Sequence, residues 1–368
     1  MKTNATQRRL LLSTATLFGA LVGYGRNAYA QTVTSLCTVT ATGVVECEGF
    51  TNTELQSVTH SGDLAVTVGP APPGYLRVDA GALSGNALSI RGEGAVSFVD
   101  TSTSELKAAS AYSGLYVYSK RDAANPGGIT LQTYGLIKGG TGIKANNFDG
   151  ATGSIEITIN DRGLSPTEFE VDGTSSDGIH AINGSTGKDI TITTEAATVV
   201  QGRMHGIYAN NKGKGKTTIT ANGDVTAMVA EGIAVRNGRF DTPAGTDLTV
   251  TTGVSTTVSG YDGIYAHNFG SGSTTVIVNG DVTATGDGSY HEFGTGFGIN
   301  ALNGSDIDPR GTDLTVTTGV GTTVTGSTAI FARNYGSGST TVTVGTASTV
   351  TSTGVDAKNF AIDLRGRP

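Results

Sequence analysis

The sequence predicts an all-β chain folded as a parallel β-solenoid, on three observations. Its composition is that of strands and turns: glycine supplies 55 of 368 residues, charged residues only 15%, tryptophan none, and threonine recurs in stretches such as Thr249–Thr252. A short phrase, Gly-Ile-x-Ala-x-Asn, is restated from residue 142 to the end. A longer passage, Gly245–Gly260, returns almost unchanged at Gly311–Gly326. Length alone would suggest two or three globular domains, but that expectation assumes one closed core per domain and fails for repeats. Beyond residue 30 only Glu105–Ala111 has the residues of a helix, so helix is expected to be at most a minor component.

Residues 1–30 read as a signal peptide. Lys2, Arg8 and Arg9 form a basic head, Leu10–Val22 an apolar run, and Ala28-Tyr29-Ala30 a small-x-small cleavage site that would leave Gln31 as the first mature residue. The Arg8-Arg9 pair also resembles part of a twin-arginine signal. Either route predicts a protein exported to the cell surface, the outer membrane or the extracellular space, or held in the periplasm if no membrane anchor follows. The apolar run is too short for a bilayer of about 30 Å, and no later segment approaches that length.

Cys37 and Cys47 flank two alternating stretches around Thr42-Gly43, a pattern of a hairpin with the cysteines facing each other. In an oxidising compartment that arrangement predicts a disulfide, the alternative being two free buried thiols. The spacing is not that of a CxxC redox motif or a zinc site. Residues 31–110, with Pro70–Pro73, are expected to form a cap or irregular early coils, and residues 111–368 the repetitive solenoid.

The repeated phrase begins at Gly142, Gly178, Gly206, Gly232, Gly263, Gly298, Ala329 and Gly354. Its sixth place is Asn147, Asn183, Asn211, Asn237, Asn268, Asn303, Asn334 and Asn359; a weaker copy starts at Gly114. Steps of 25 to 36 residues between these starts suit one coil of two or three strands with turns of varying length. The long duplication has an offset of 66 residues, the sum of two neighbouring steps, so the copied unit is a pair of unlike coils. One carries Thr-Asp-Leu-Thr-Val-Thr and the other Gly-Ser-Gly-Ser-Thr-Thr-Val.

Within each phrase the second and fourth residues point to one side and the third and fifth to the other, which makes a strand with one buried side. Stacking coils at about 4.8 Å sets isoleucine over isoleucine and alanine over alanine, and eight coils would make a rod of roughly 40 Å. The eight asparagines are expected to form an internal amide ladder at a bend, since Asn tolerates left-handed backbone angles and its amide both donates and accepts. A β-sandwich of the same strands is the alternative, because a period does not fix the direction of the coils.

Together the signal peptide, the early Cys37–Cys47 clip and the Gly-Ile-x-Ala-x-Asn coils resemble the passenger regions of bacterial autotransporters. The resemblance covers about residues 31–368 and implies a right-handed parallel β-helix serving adhesion, aggregation or surface display. It also implies a carboxy-terminal outer-membrane barrel as partner. The sequence stops at Leu364–Pro368 in mid-repeat, so the barrel is expected to lie outside this chain, as it would for a passenger fragment or a truncated reading frame.

No catalytic residue, cofactor site or metal site is predicted. Gly213-Lys214-Gly215-Lys216-Thr217 lacks the first glycine of a phosphate loop. His60, His180, His205, His267 and His291 lack metal-ligand spacing and read as surface strand residues. Asn222-Gly223-Asp224 and Asn279-Gly280-Asp281 read as turns before calcium loops. The formal charge of −7 without a basic stripe disfavours nucleic acid and is explained by solubility. The sharpest enzymatic alternative is a polysaccharide-acting β-helix, a lyase or hydrolase using Asp177, Glu231 and Asp262, which each precede a repeat; Glu231 and Asp262 are neighbours, and Asp177 is two coils from Glu231 with His205 between. Solvating edge carboxylates are the plainer reading of those residues. Tyr208, Tyr265 and Phe331, in the third place of their repeats, form a candidate binding stripe for a host or bacterial surface glycan or protein.

Overall fold

The computed structural model describes residues 31–69, 75–120, 126–148, 150–162, 169–239, 241, 244–286, 296–305, 309–351 and 354–359. The predicted signal peptide, Pro70–Pro73, His291 and the last nine residues lie outside them. Among the described residues each regular complete coil has three strands, and successive coils stack into three long sheets: two of twelve strands and one of eleven. We call the first the asparagine face, which runs from Gln31–Val33 through Gln56–His60 and Ile264–Asn268 to Val355–Asn359. The threonine face follows it in each coil, as in Leu248–Thr252, and the short-strand face completes the turn, as in Thr257–Gly260. Apart from Gln31–Val33, which pairs antiparallel with Gln56–His60, the pairings between coils are parallel, which rules out the sandwich alternative. Among the described residues there is no helix.

The core follows from the alternation. Ile143, Ile179, Ile207, Ile233, Ile264 and Ile299 stand opposite one another in register and are fully buried. Facing columns come from the threonine face, as Ile157, Ile192, Ile219 and Val250, and from the short-strand face, as Val200, Val225, Val258 and Val282. Three apolar columns close over one spine that no single coil buries alone. Eleven parallel strands on the asparagine face make ten steps, a rod about 50 Å long.

At Gly206 and Gly232 the glycine that opens the phrase is required by the stacking. A Cβ on Gly206 would sit 2.8 Å from the Gly232 carbonyl oxygen, and one on Gly232 would sit 2.8 Å from that of Gly263. At these two places adjacent coils approach too closely for a side chain, although neither residue needs a positive φ; the equivalent place at Ala329 holds a buried methyl group.

Two elements differ from expectation. Glu105–Ala108 is a strand of the short-strand face, paired on both sides with Leu76–Ala80 and Leu136–Gly139, and its Leu106 is buried. Ladder pairing on both edges and burial of Leu106 override a local preference for helix. Before residue 110, the stretch Gln31–Cys47 covers the first coil, while Gly49–Thr51 already pairs parallel with Leu76–Ala80. Regular coils thus begin 65 residues ahead of the weak copy at Gly114. They escaped the pattern because Val58 and Ile90 fill the alanine column, and His60, Gly92 and Ser119 the asparagine column.

Cys37–Ala41 and Val44–Cys47 form the expected hairpin, with Cys37 opposite Cys47 and the two joined by a disulfide. Closing a loop of this size contributes about 3 kcal/mol in the chain-entropy account. Cys37→Ser with Cys47→Ser is therefore expected to speed amide exchange in residues 31–47 while leaving the coils beyond Ile90 protected. Equal loss of protection along the whole rod would contradict a local clip.

Candidate functional site

The asparagine column sits at the bend between the asparagine and threonine faces, and Asn147 through Asn334 are buried. It is only partly a ladder of amides. Asn147 Nδ2 donates to Asn183 Oδ1 at 2.8 Å, and Asn237, Asn268 and Asn303 each donate to the next asparagine at 3.2–3.3 Å. The same Nδ2 groups also donate to main-chain carbonyls just past the bend: Asn268 to Thr246 at 2.9 Å and to Ser273 at 3.2 Å. Inward-facing Thr217 and Thr274 donate their hydroxyls to Asn237 and Asn303. The backbone of Asn359 pairs in register with that of Asn334.

These bonds explain why the copied unit is two coils. In one kind of coil the asparagine turns tightly: Asn211, Asn268 and Asn334 accept from the main-chain N–H two residues on, at Gly213, Gly270 and Gly336. In the other kind an aspartate follows the bend and reaches to the next coil. Asp247 accepts from Ser273 N–H at 2.8 Å, and Asp313 from Ser339 N–H at 2.7 Å. That second contact holds the Asp313 carboxyl below the usual carboxylate range.

The outward side of this face carries the aromatic positions. Tyr208 and Tyr265 share one column with Ala234 between them, and Phe331 follows with Asn300 between. They are half-buried rather than bare. Tyr208 packs between His180 and His205, each 5.0 Å away between ring centroids, and Asn210 donates to its hydroxyl. Tyr265 lies under Arg236 and shares a 3.0 Å hydrogen bond with His267. Phe331 stacks on Phe297 at 4.6 Å beneath Arg333. Alanine and asparagine thus interrupt the column, dividing it into three separately packed aromatic positions.

The carboxylates that precede the repeats are not solvating edge groups. Asp177 and Asp262 are buried, and Asp262 Oδ1 accepts the main-chain N–H of Gly296 and Phe297 at 2.7 and 2.8 Å. Asp177 Oδ2 meets His180 Nδ1 at 2.6 Å, while its Oδ1 meets His205 Nδ1 at 2.7 Å and the His205 main-chain N–H at 3.2 Å. On its other side His205 Nε2 meets Glu231 Oε2 at 3.0 Å. Burial by itself would lower the His205 pKa, but hydrogen bonds to Asp177 and Glu231 overcome it and push the ring up to about 9. Burial likewise would raise Asp177, and its bonds to His180 and His205 outweigh that and hold it far below the carboxylate range. At neutral pH the trio is an imidazolium between two carboxylates, joining three consecutive coils. The corner that brings Asp177, His205 and Glu231 together is the residue before each glycine, so the spacing that revealed the carboxylates also placed the histidine.

Among the described residues, His60 and His267 are not free surface residues either. His60 is buried, and His267 stacks on Phe269 at 3.7 Å with Nε2 3.2 Å from the Gly304 carbonyl. Burial pushes His267 down to about 4, so it is neutral at physiological pH. Asp224 and Asp281 accept main-chain N–H groups from the next coil, at Thr257 and Thr323. Lys216 in the glycine-lysine stretch donates its main-chain N–H to Asp189. Among the described residues, no group of three or more His, Cys, Asp or Glu is placed to hold a metal ion.

Fold and face together define a parallel β-solenoid with a disulfide near its amino-terminal start and an aromatic, cation-bearing outward side. Compared with known protein families, with curated proteins and with solved structures, the chain gives no match.

Proposed function

We propose that the chain is an exported passenger-type protein that acts at the cell surface in adhesion, aggregation or display, with a surface glycan or protein as partner. The observation that carries this reading is the repetition of outward aromatic positions at Tyr208, Tyr265 and Phe331, at one place of every second coil on a single rod. A rigid repeat array multiplies a weak contact along its axis, which is how an extended surface gains avidity. A polysaccharide-cleaving reading would need two carboxylates free to serve as acid and base. Asp177 and Glu231 are instead bonded to His205, and Asp262 to the main chain. That occupation favours binding over cleavage.

The test is to display the chain on a bacterial surface and measure attachment to glycan- and protein-coated supports. Tyr265→Ser with Phe331→Ser is expected to lower attachment at least tenfold while amide protection of residues 207–334 is kept. Unchanged attachment with the double substitution would overturn the aromatic contact, and a wild-type chain that neither attaches nor aggregates cells would overturn the adhesive reading.

A further inference from the structure

The outward side of the asparagine face differs in charge from the rest of the chain. From Ser57 to Arg333, over ten coils, its third and fifth places include Arg91, Lys144, Arg236 and Arg333 and not one carboxylate. The first is Asp356. The whole chain carries a formal charge of −7. On the short-strand face, by contrast, charges come in pairs: Arg77 with Glu105, Lys107 with Asp79, Lys138 with Asp172. The asymmetry therefore belongs to one surface.

It is sharpest near the start of the rod. A groove of about 470 Å³ runs along three consecutive coils, lined by Arg91, Tyr112, Tyr116 and Lys144. Tyr116 stands in register opposite Lys144, and the Arg91 guanidinium lies 5.5 Å from the centroid of the Tyr116 ring. Arg91 is exposed and Lys144 half-buried, and neither makes an ion pair with another described residue. Two other polar side chains of the groove are occupied within the chain: Asn86 bonds to Ser89 and to the Ser113 main-chain N–H, and Ser175 to the Ser110 carbonyl. Along the groove stand a cation, an aromatic ring and a second cation, with the two cations on strands two steps apart, about 10 Å.

We propose that this groove binds an anionic oligosaccharide bearing carboxylate or sulfate groups, laid along the rod axis. The proposal rests on the surface-binding reading above and gives it a place and a ligand class. Arg91 offers a planar fork to a carboxylate or sulfate, Lys144 takes the next charge as a compact ammonium, and the tyrosine rings form an apolar wall for the sugar between them. Nucleic acid is the competing polyanion. Duplex DNA carries one charge per about 1.7 Å of axis, and two cations on strands about 10 Å apart match it poorly.

Binding is measured on the purified chain by calorimetry, with a heparin hexasaccharide as probe and a neutral dextran hexasaccharide and a single-stranded oligodeoxynucleotide as comparators. Heparin hexasaccharide is expected to bind, neutral dextran to bind at least tenfold more weakly, and the oligonucleotide to bind more weakly than the hexasaccharide. Arg91→Ala and Lys144→Ala, both outward-facing, are each expected to weaken the hexasaccharide at least fivefold, and Arg91→Lys less than Arg91→Ala. No binding by the wild-type chain, binding unaltered by either alanine, equal affinity for dextran, or tighter binding of the oligonucleotide would each overturn the proposal. The two readings separate cleanly. Attachment that survives Arg91→Ala with Lys144→Ala while the hexasaccharide fails to bind rejects the groove alone. Hexasaccharide binding by a chain that mediates no attachment rejects the adhesive role alone.

Discussion

Asn268→Ala is expected to destabilise the coils around it by about 4 kcal/mol, because a buried amide with several partners is removed and those partners are left without substitutes. Asn268 donates to Thr246, Ser273 and Asn303 and accepts from Gly270 and Asn237. Two of those are main-chain carbonyls at a bend, which must then find water or go unpaired. Asn268→Asp keeps the shape but loses both donors and introduces a charge at a fully buried position, so it is expected to cost at least as much. The outward Asn210, one place earlier in its own phrase, has a single bond to Tyr208, and Asn210→Ala is expected to cost about 1 kcal/mol. Because a solenoid unfolds in neighbouring units, amide exchange is the appropriate measurement: Asn268→Ala should expose the strands from Ile233 to Asn303 ahead of those near Ile90.

The second large effect is at His205. His205→Leu leaves the Asp177 and Glu231 carboxylates facing each other across two coils without their shared cation. Removing one partner from a largely buried ionic group costs about 3–5 kcal/mol. The same residue sets a pH dependence. A ring raised to about 9 in the folded chain contributes its full stabilisation below its ordinary pKa of 6.5 and loses it as pH rises from there through about 9. His267 acts in the opposite sense. Held neutral down to about pH 4, it stabilises the fold above 6.5, and that contribution is lost as pH falls from 6.5 through about 4. Asp177, lowered far below its ordinary value, opposes unfolding until the medium is strongly acidic. Stability is therefore expected to peak near pH 6.5. In His205→Leu the alkaline decline should disappear and the acid decline remain; an alkaline limb of unchanged size would show that the imidazolium bridge does not contribute.

Much of this architecture could be read from residue order because a solenoid repeats its physics. The phrase Gly-Ile-x-Ala-x-Asn showed which side chains face inward, and the 66-residue offset showed that coils alternate in kind, which Asp247–Ser273 and Asp313–Ser339 explain. Coils ahead of residue 110 were harder to see. Val58 and Ile90 preserve inward burial without the motif's letters, so identity was lost where packing was kept. Side-chain environment was the least legible. The repeat spacing places His205 between Asp177 and Glu231, but nothing in local order says that Asp177 and Asp262 are buried or that the histidine bonds to both carboxylates, since each contact spans some 26 to 35 residues. The groove at Arg91, Tyr116 and Lys144 escaped for the same reason, its members lying 25 and 28 residues apart.

The central physical claim is that equivalent places of the phrase lie above one another at one strand spacing per coil. Double electron–electron resonance on spin-labelled cysteines at outward third places measures this directly, with Cys37 and Cys47 remaining bonded to each other. Ser89→Cys with Tyr208→Cys spans four coil steps and Ser89→Cys with Asn300→Cys spans seven. At about 4.8 Å per step the two distances should lie near 19 and 34 Å, in the ratio of the steps. Distances that fail to grow with the number of coils, or a longer pair no farther apart than the shorter, would contradict a single in-register spine.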